Sequence, residues 1–77
     1  MDPLERIERK PDVLGGQPVV RGTRVPVGVL VGALAGGMTI EEVCTSYRVT
    51  AEDVRAALSY AVEVLDEDHA LGGAPSR

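Results

Sequence analysis

The chain contains no tryptophan and no phenylalanine, and only 2 of its 77 residues are tyrosine. Large aromatic side chains therefore cannot form the centre of a core, which has to be built from aliphatic residues. A chain of this length buries only about 60% of the surface that its unfolded form exposes. We expect one small domain over residues 1–70, a disordered tail over residues 71–77, and further stabilisation by association with another protein molecule.

Cysteine, histidine and long apolar runs are also scarce. The single cysteine, Cys44, excludes an internal disulfide and suits a reducing cytoplasm, where we expect the protein to reside. No apolar run approaches the ~20 residues that cross a bilayer, and the charged N-terminus lacks the pattern of a signal peptide. The one histidine, His69, is far from Cys44, and the consecutive carboxylates of residues 66–68 point in different directions around a helix. We therefore expect no metal, no cofactor and no catalytic activity.

Charge is unevenly distributed along the chain, whose net charge is −4. Residues 1–24 carry five basic and four acidic side chains, whereas residues 39–69 carry two arginines and eight carboxylates. A slightly basic N-terminal arm thus precedes an acidic helical body. If the protein binds DNA, we expect weak and salt-sensitive contact through the basic residues of this arm, which are Arg6, Arg9, Lys10, Arg21 and Arg24.

Apolar residues recur at helical spacing in three segments. The first segment covers residues 27–34 and ends at a pair of glycines. Thr39, with Glu42 three residues later, forms a capping-box pattern that begins a second helix. Thr50 caps a third helix, which we place over residues 51–67. Together with a short β-hairpin before them, these helices predict a mainly α domain built as a three-helix bundle.

The second and third predicted helices, joined by a short turn, have the outline of a helix-turn-helix. A recognition helix usually presents Arg, Lys, Asn, Gln or Ser near its start. This helix instead presents Glu52 and Asp53, which DNA phosphates would repel, beside Arg55. DNA reading and a structural or partner-binding role both remain open, and the carboxylates favour the second.

The first predicted helix lies in a stretch with no ionisable side chain, from Val25 to Met38. A surface helix normally shows a polar face, so this helix should be covered on most sides. It is either the central helix of the core or part of a subunit interface, where small residues would permit close approach. We predict a homodimer that is joined through the β segment, the first helix, or both.

The densest motif is LGGQPVVRGTRVPV, residues 14–27. Gly15–Gly16 allow positive φ angles, so the chain can reverse there. Val19–Val20 form a short strand, and Arg21–Arg24 form a second turn that carries two guanidinium groups. Pro26 suits the first position of the following helix.

This motif resembles the signature of the short prokaryotic proteins called domain of unknown function 433, and the similarity extends over residues 7–65. Further matching positions are Gly37, Met38, Thr39, Glu41, Glu42, Val43, Tyr47, Val49, Thr50, Glu52, Asp53, Val54, Ala56, Ala57, Leu58, Tyr60 and Ala61. The resemblance implies a homeodomain-like helical fold with a short N-terminal β segment. Because members often sit beside genes for PIN-like nucleases, it also implies an antitoxin that neutralises such a nuclease and can repress its own operon. A stand-alone helix-turn-helix transcriptional regulator is the alternative.

The candidate partner-binding or nucleic-acid-binding residues are Arg21, Gly22, Thr23, Arg24, Arg6, Arg9 and Lys10. Three roles remain open for Arg21 and Arg24. They can stabilise the fold by pairing with Glu63, Asp66 or Glu67 on the long helix. They can enter the acidic metal pocket of a PIN-like nuclease, where a guanidinium satisfies carboxylates and displaces the metal. They can also contact phosphates.

Overall fold

The computed structural model describes the backbone over residues 3–70 and the side chains over residues 4–66. The expected tail, residues 71–77, lies outside the described residues. The side chains of residues 67–69, which include His69 and one of the carboxylates considered for an ion pair, lie outside them as well.

The N-terminal segment forms a two-stranded antiparallel hairpin, as predicted. Strand β1 (Ile7–Arg9) pairs with strand β2 (Pro18–Val20), with Ile7 opposite Val20. The chain reverses between the strands at Gly15–Gly16, where φ is +69° and +86°. Ile7 and Val20 are buried, so one face of the hairpin packs against the helices.

Three helices follow the hairpin and confirm the predicted bundle. Helix α1 spans Val27–Ala35, α2 spans Ile40–Tyr47, and α3 spans Ala51–Ala70. The prediction ended the third helix too early, at residue 67. It also placed Pro26 inside the first turn of α1, which is wrong. Pro26 keeps an extended backbone (φ −69°, ψ 145°) because it still bridges to Val19 of β2, and the helix begins one residue later.

Both predicted capping signals form hydrogen bonds at the helix starts. At α2, the Thr39 side chain accepts from the Glu42 N–H at 3.1 Å, and the Glu42 carboxylate accepts from the Thr39 N–H at 2.8 Å. At α3, Thr50 and Asp53 exchange the same pair of bonds, each at 3.0 Å. These bonds satisfy N–H groups that a helix cannot pair internally, and so fix where α2 and α3 begin.

The core consists of aliphatic and alanine side chains drawn from the hairpin and all three helices. Leu30 of α1, Val43 of α2 and Val54 of α3 are completely buried. Around them lie the other buried apolar residues, which are Ile7, Val19, Val20, Val27, Val49, Ala56 and Ala57. Cys44 is half-buried and packs against this cluster. No helix in the described part of the chain is long and apolar enough to cross a membrane.

The domain's own residues cover helix α1 on one side only, and the predicted subunit interface on its other side stays a prediction. Val27 and Leu30 face the core, whereas Val29 is 40% exposed and Gly28 and Gly32 are also exposed. Only one side of α1 packs against β2, α2 and α3. The opposite side is an apolar helix face with no polar residue to hydrate it.

Candidate functional site: the arginine turn

The arginine turn, residues 21–24, connects β2 to the extended segment before α1. Thr23 closes it with two short-range bonds. Its hydroxyl donates to the Val20 carbonyl at 2.8 Å and accepts from the Val25 N–H at 3.0 Å. The Thr23 N–H also donates to Val20, at 2.9 Å, and Val20 in turn donates to the Val25 carbonyl at 3.0 Å. Gly22 supplies the positive φ of +79° that this tight path needs.

A carboxylate from the neighbouring strand holds the turn from the side. Glu8 of β1 accepts from the Gly22 N–H at 3.1 Å with Oε2, and its Oε1 lies 3.6 Å from Nη1 of Arg21. The Glu8 side chain is only 16% exposed, which is unusual for a glutamate. Sequence reasoning did not identify Glu8 as a site residue. No local signal joins Glu8 to the turn, because Glu8 and Gly22 are 14 positions apart and meet only when β1 pairs with β2.

Arg21 is fixed in place by the hairpin. Its Nε donates to the Glu5 carbonyl at 2.6 Å, and its backbone N–H donates to the Arg6 carbonyl at 2.6 Å. Its carboxylate partner is Glu8 of β1. The proposed pairing of Arg21 with Glu63 or Asp66 of α3 is therefore wrong, because the adjacent strand brings Glu8 closer than the far half of the long helix. About 60% of the Arg21 side chain remains exposed.

Arg24 differs from Arg21 in having no such restraint. It is exposed, and among the described residues it forms no hydrogen bond and no ion pair. The two arginines therefore have different structural roles. Arg21 and Glu8 stabilise the turn, whereas Arg24 projects a free guanidinium from a backbone that is fixed on both sides.

The remaining basic residues of the N-terminal arm do not act as a continuous patch. Arg6 donates a hydrogen bond to Asp53 of α3 at 3.0 Å and lies 3.6 Å from Glu52. Its positive charge is therefore paired with carboxylates of the same chain. Arg9 donates through Nε to the Gly16 carbonyl at 3.0 Å and remains exposed. Lys10 is exposed and makes no side-chain bond to the described residues. Arg6, one of the candidate binding residues, is thus paired with carboxylates of α3, and its part in binding stays a prediction.

Arg6 and Arg21 line one side of a polar depression of about 390 Å³ next to the turn. The other lining residues are Glu5 and Asp53, so the charges of the depression are nearly balanced. Such a surface offers little net attraction for an anion, in contrast to the unpaired Arg24 at the end of the turn.

The start of α3 remains unfavourable for DNA. Glu52 is 65% exposed there, and Arg55 lies exposed one turn further along the helix. Arg6 partly neutralises the carboxylates, but in doing so it covers the N-terminal end of α3. No group of three or more His, Cys, Asp or Glu residues that could hold a metal ion occurs within the described side chains.

Comparison with known proteins gives the same assignment as the motif. The model of the family described as "Protein of unknown function (DUF433)" matches residues 7–61, which include the whole hairpin, the arginine turn and most of the bundle. The chain belongs to the DUF433 family. The hairpin, the turn and the three helices therefore constitute a DUF433 domain.

Two relatives place this DUF433 domain in longer proteins. Protein y4eO of Sinorhizobium fredii (strain NBRC 101917 / NGR234) is 43% identical over 58 residues, which are 74% of this chain and 26% of that protein. The crystal structure of a DUF433 member from Anabaena variabilis ATCC 29413 superimposes with a TM-score of 0.74 at 36% identity, over 80% of this chain and 62% of the other. The chain thus spans about a quarter of the first relative and under two thirds of the second.

Proposed function

We propose that this DUF433 chain is an antitoxin that binds and neutralises a PIN-like nuclease, with Arg24 as the side chain that enters the acidic pocket of the toxin. One observation carries the proposal. Arg24 is an unpaired, exposed guanidinium on a turn whose backbone is fixed by Thr23 and Glu8. What distinguishes Arg24 from other exposed arginines without a described partner, such as Arg55, is this fixed turn.

The chemistry of the guanidinium fits an acidic pocket. It presents several N–H donors in one plane and can bond two carboxylate oxygens at once, as a metal ion in such a pocket would. The rigid turn reduces the conformational entropy that is lost on binding, because the backbone around Arg24 is already ordered. Inhibition follows if the guanidinium occupies the position that the catalytic metal needs.

A stand-alone DNA-binding regulator has less support. The exposed carboxylate of Glu52 lies at the start of the helix that would enter the major groove, and Arg6 is engaged in an ion pair with Asp53. If the chain represses its own operon, the contact with DNA would have to come from the nuclease or from a surface of this chain other than the start of α3. We therefore place operator binding second to nuclease binding.

The test identifies a PIN-like nuclease that co-purifies with the chain from its native host, and then measures its inhibition by the Arg24→Glu variant. The new carboxylate would face the acidic pocket of the nuclease, so we expect inhibition to weaken by about 100-fold or more. Since Arg24 bonds nothing among the described residues, the thermal melt of the variant should match that of the wild type.

Arg55→Glu is the matched control, because Arg55 is also exposed and the substitution makes the same change in charge. It should inhibit as the wild type does. Normal inhibition by a folded Arg24→Glu variant, or equal losses for Arg24→Glu and Arg55→Glu, would contradict the proposal.

A further inference from the structure

An open apolar groove runs between α1 and α3, away from the polar depression. Its volume is about 750 Å³. One end is formed by the hairpin, one wall by α1 and the other by α3. The lining includes Arg9 at the hairpin end, Gly28 and Gly32 on α1, and Tyr60 and Leu65 on α3. Apart from Arg9 and the tyrosine hydroxyl, this surface offers no polar side chain to water.

The α1 wall of the groove is open enough to receive another helix. A Cβ atom built at Gly28 or Gly32 would have no atom within 4 Å, so no described residue occupies the space above them. Val29, beside them, is 40% exposed. One side of the uncharged stretch from Val25 to Met38 is thus buried in the core, and its other side is exposed. An uncovered apolar face of this kind indicates a protein contact.

The same molecule also carries an apolar protrusion next to the groove. Helix α3 has 20 residues, which correspond to a length of about 30 Å, and every described residue from 62 to 66 is exposed. Val62 is 55% exposed, and Leu65, which also forms the edge of the groove, is 64% exposed. The last described turns of α3 therefore present aliphatic side chains that find no cover in the domain.

Charge at the edges of the two features is complementary. Arg9 lies at the hairpin end of the groove, and no carboxylate among the described residues pairs with it. Asp66 is one helical turn after Val62 and therefore lies on the same exposed face of α3. It also pairs with no described basic side chain.

From this arrangement we infer that the groove receives the end of α3 from a second copy of this chain, and that the groove of the second copy receives α3 of the first. A two-fold pair buries the same patch on both molecules, so a groove and a protrusion side by side on one chain satisfy each other reciprocally. Leu65 and Val62 enter the apolar groove, and Asp66 of each chain faces Arg9 of the other. The interface lies outside the arginine turn and would leave Arg24 free.

Sedimentation equilibrium of the full chain, without any nuclease, tests this inference. The wild type should be a dimer at tens of micromolar. Leu65→Glu would bury an unpaired carboxylate, so the dimer dissociation constant should rise by roughly tenfold or more. Ile40→Glu is the matched control, because Ile40 is 38% exposed on α2 and does not line the groove. That variant should dimerise as the wild type does.

Charge reversal provides a second and independent readout. Arg9→Glu and Asp66→Arg should each weaken the dimer, and the double variant should restore it to within about threefold of the wild type. Recovery of dimer affinity in the double variant tests the inference even if Leu65→Glu fails to fold. A monomeric wild type, an unaffected Leu65→Glu variant, or a double variant weaker than both single ones would overturn the inference. None of these outcomes bears on nuclease inhibition, which is measured separately.

Discussion

At the scale of single residues, the arginine turn combines an ordered backbone with an unpaired side chain. We call the bonds that Glu8 and Thr23 make to the turn its frame. Glu8 binds the turn through Gly22 and Arg21, and Thr23 closes it, while Arg24 has no described partner. If the frame serves to present Arg24, loosening the frame should weaken partner binding without altering the guanidinium itself. Glu8 is then a positioning residue.

Glu8→Ala removes the acceptor for the exposed Gly22 N–H, which water can replace, so the free energy of unfolding should fall by about 0.5–1.5 kcal/mol. For a domain of this size, each kcal/mol lowers the melting temperature by roughly 4–8 °C. Glu8→Gln keeps an oxygen that can accept the same bond, so its melt should fall less. Nuclease inhibition should follow the same order, with Glu8→Ala weaker than Glu8→Gln even at a temperature where both are folded. Equal inhibition by the two variants would show that the frame does not matter for binding.

At the scale of elements, α2 and α3 start in the same way but are not equally anchored. The capping box of α2 uses Glu42, which is exposed and bonds only Thr39. In the capping box of α3, Asp53 is 14% exposed and bonds both Thr50 and Arg6. Asp53 therefore joins the start of α3 to the segment that leads into the hairpin.

This difference predicts that truncating the two side chains to alanine lowers the free energy of unfolding by unequal amounts. Glu42→Ala should lower the free energy of unfolding by about 0.5–1 kcal/mol, as expected for an exposed cap. Asp53→Ala should lower it by about 2–3 kcal/mol, because the variant also leaves the half-buried Arg6 without its carboxylate. Urea denaturation of both variants measures the difference directly. A loss for Glu42→Ala that equals or exceeds the loss for Asp53→Ala would contradict the account of Arg6.

The helices could be predicted from the sequence because their signals are local. Apolar spacing and the Thr39 and Thr50 caps lie within a few residues of the bonds that they form. Pairings across the fold were not predictable in this way. That Glu8 would bond Gly22, and that Arg6 would bond Asp53 across 47 positions, depends on how the hairpin docks on α3. The sequence alone also left open whether the domain itself or another molecule covers α1, since the absence of charge indicates cover but not which protein supplies it.

At the scale of the whole molecule, a chain with a net charge of −4 and a small aliphatic core carries two features of different chemistry. The arginine turn offers a free cation to an acidic site, and the α1–α3 groove offers an apolar surface to a second copy. Dimerisation would cover the apolar face that the thin core leaves exposed, and would present two arginine turns at once. The turn carries the central claim, which is that Arg24 replaces a metal ion in the nuclease.

The most direct measurement of that claim is the affinity of the purified chain for the nuclease, by calorimetric titration, over a series of Mn²⁺ concentrations. Ionic strength is held constant with KCl, because a guanidinium–carboxylate contact is itself sensitive to salt. If Arg24 and the metal occupy the same carboxylates, the apparent dissociation constant should rise in proportion to free Mn²⁺ once the metal site of the nuclease begins to fill. The residual binding of Arg24→Glu should not change with Mn²⁺. A wild-type affinity that stays constant across the series would contradict the account.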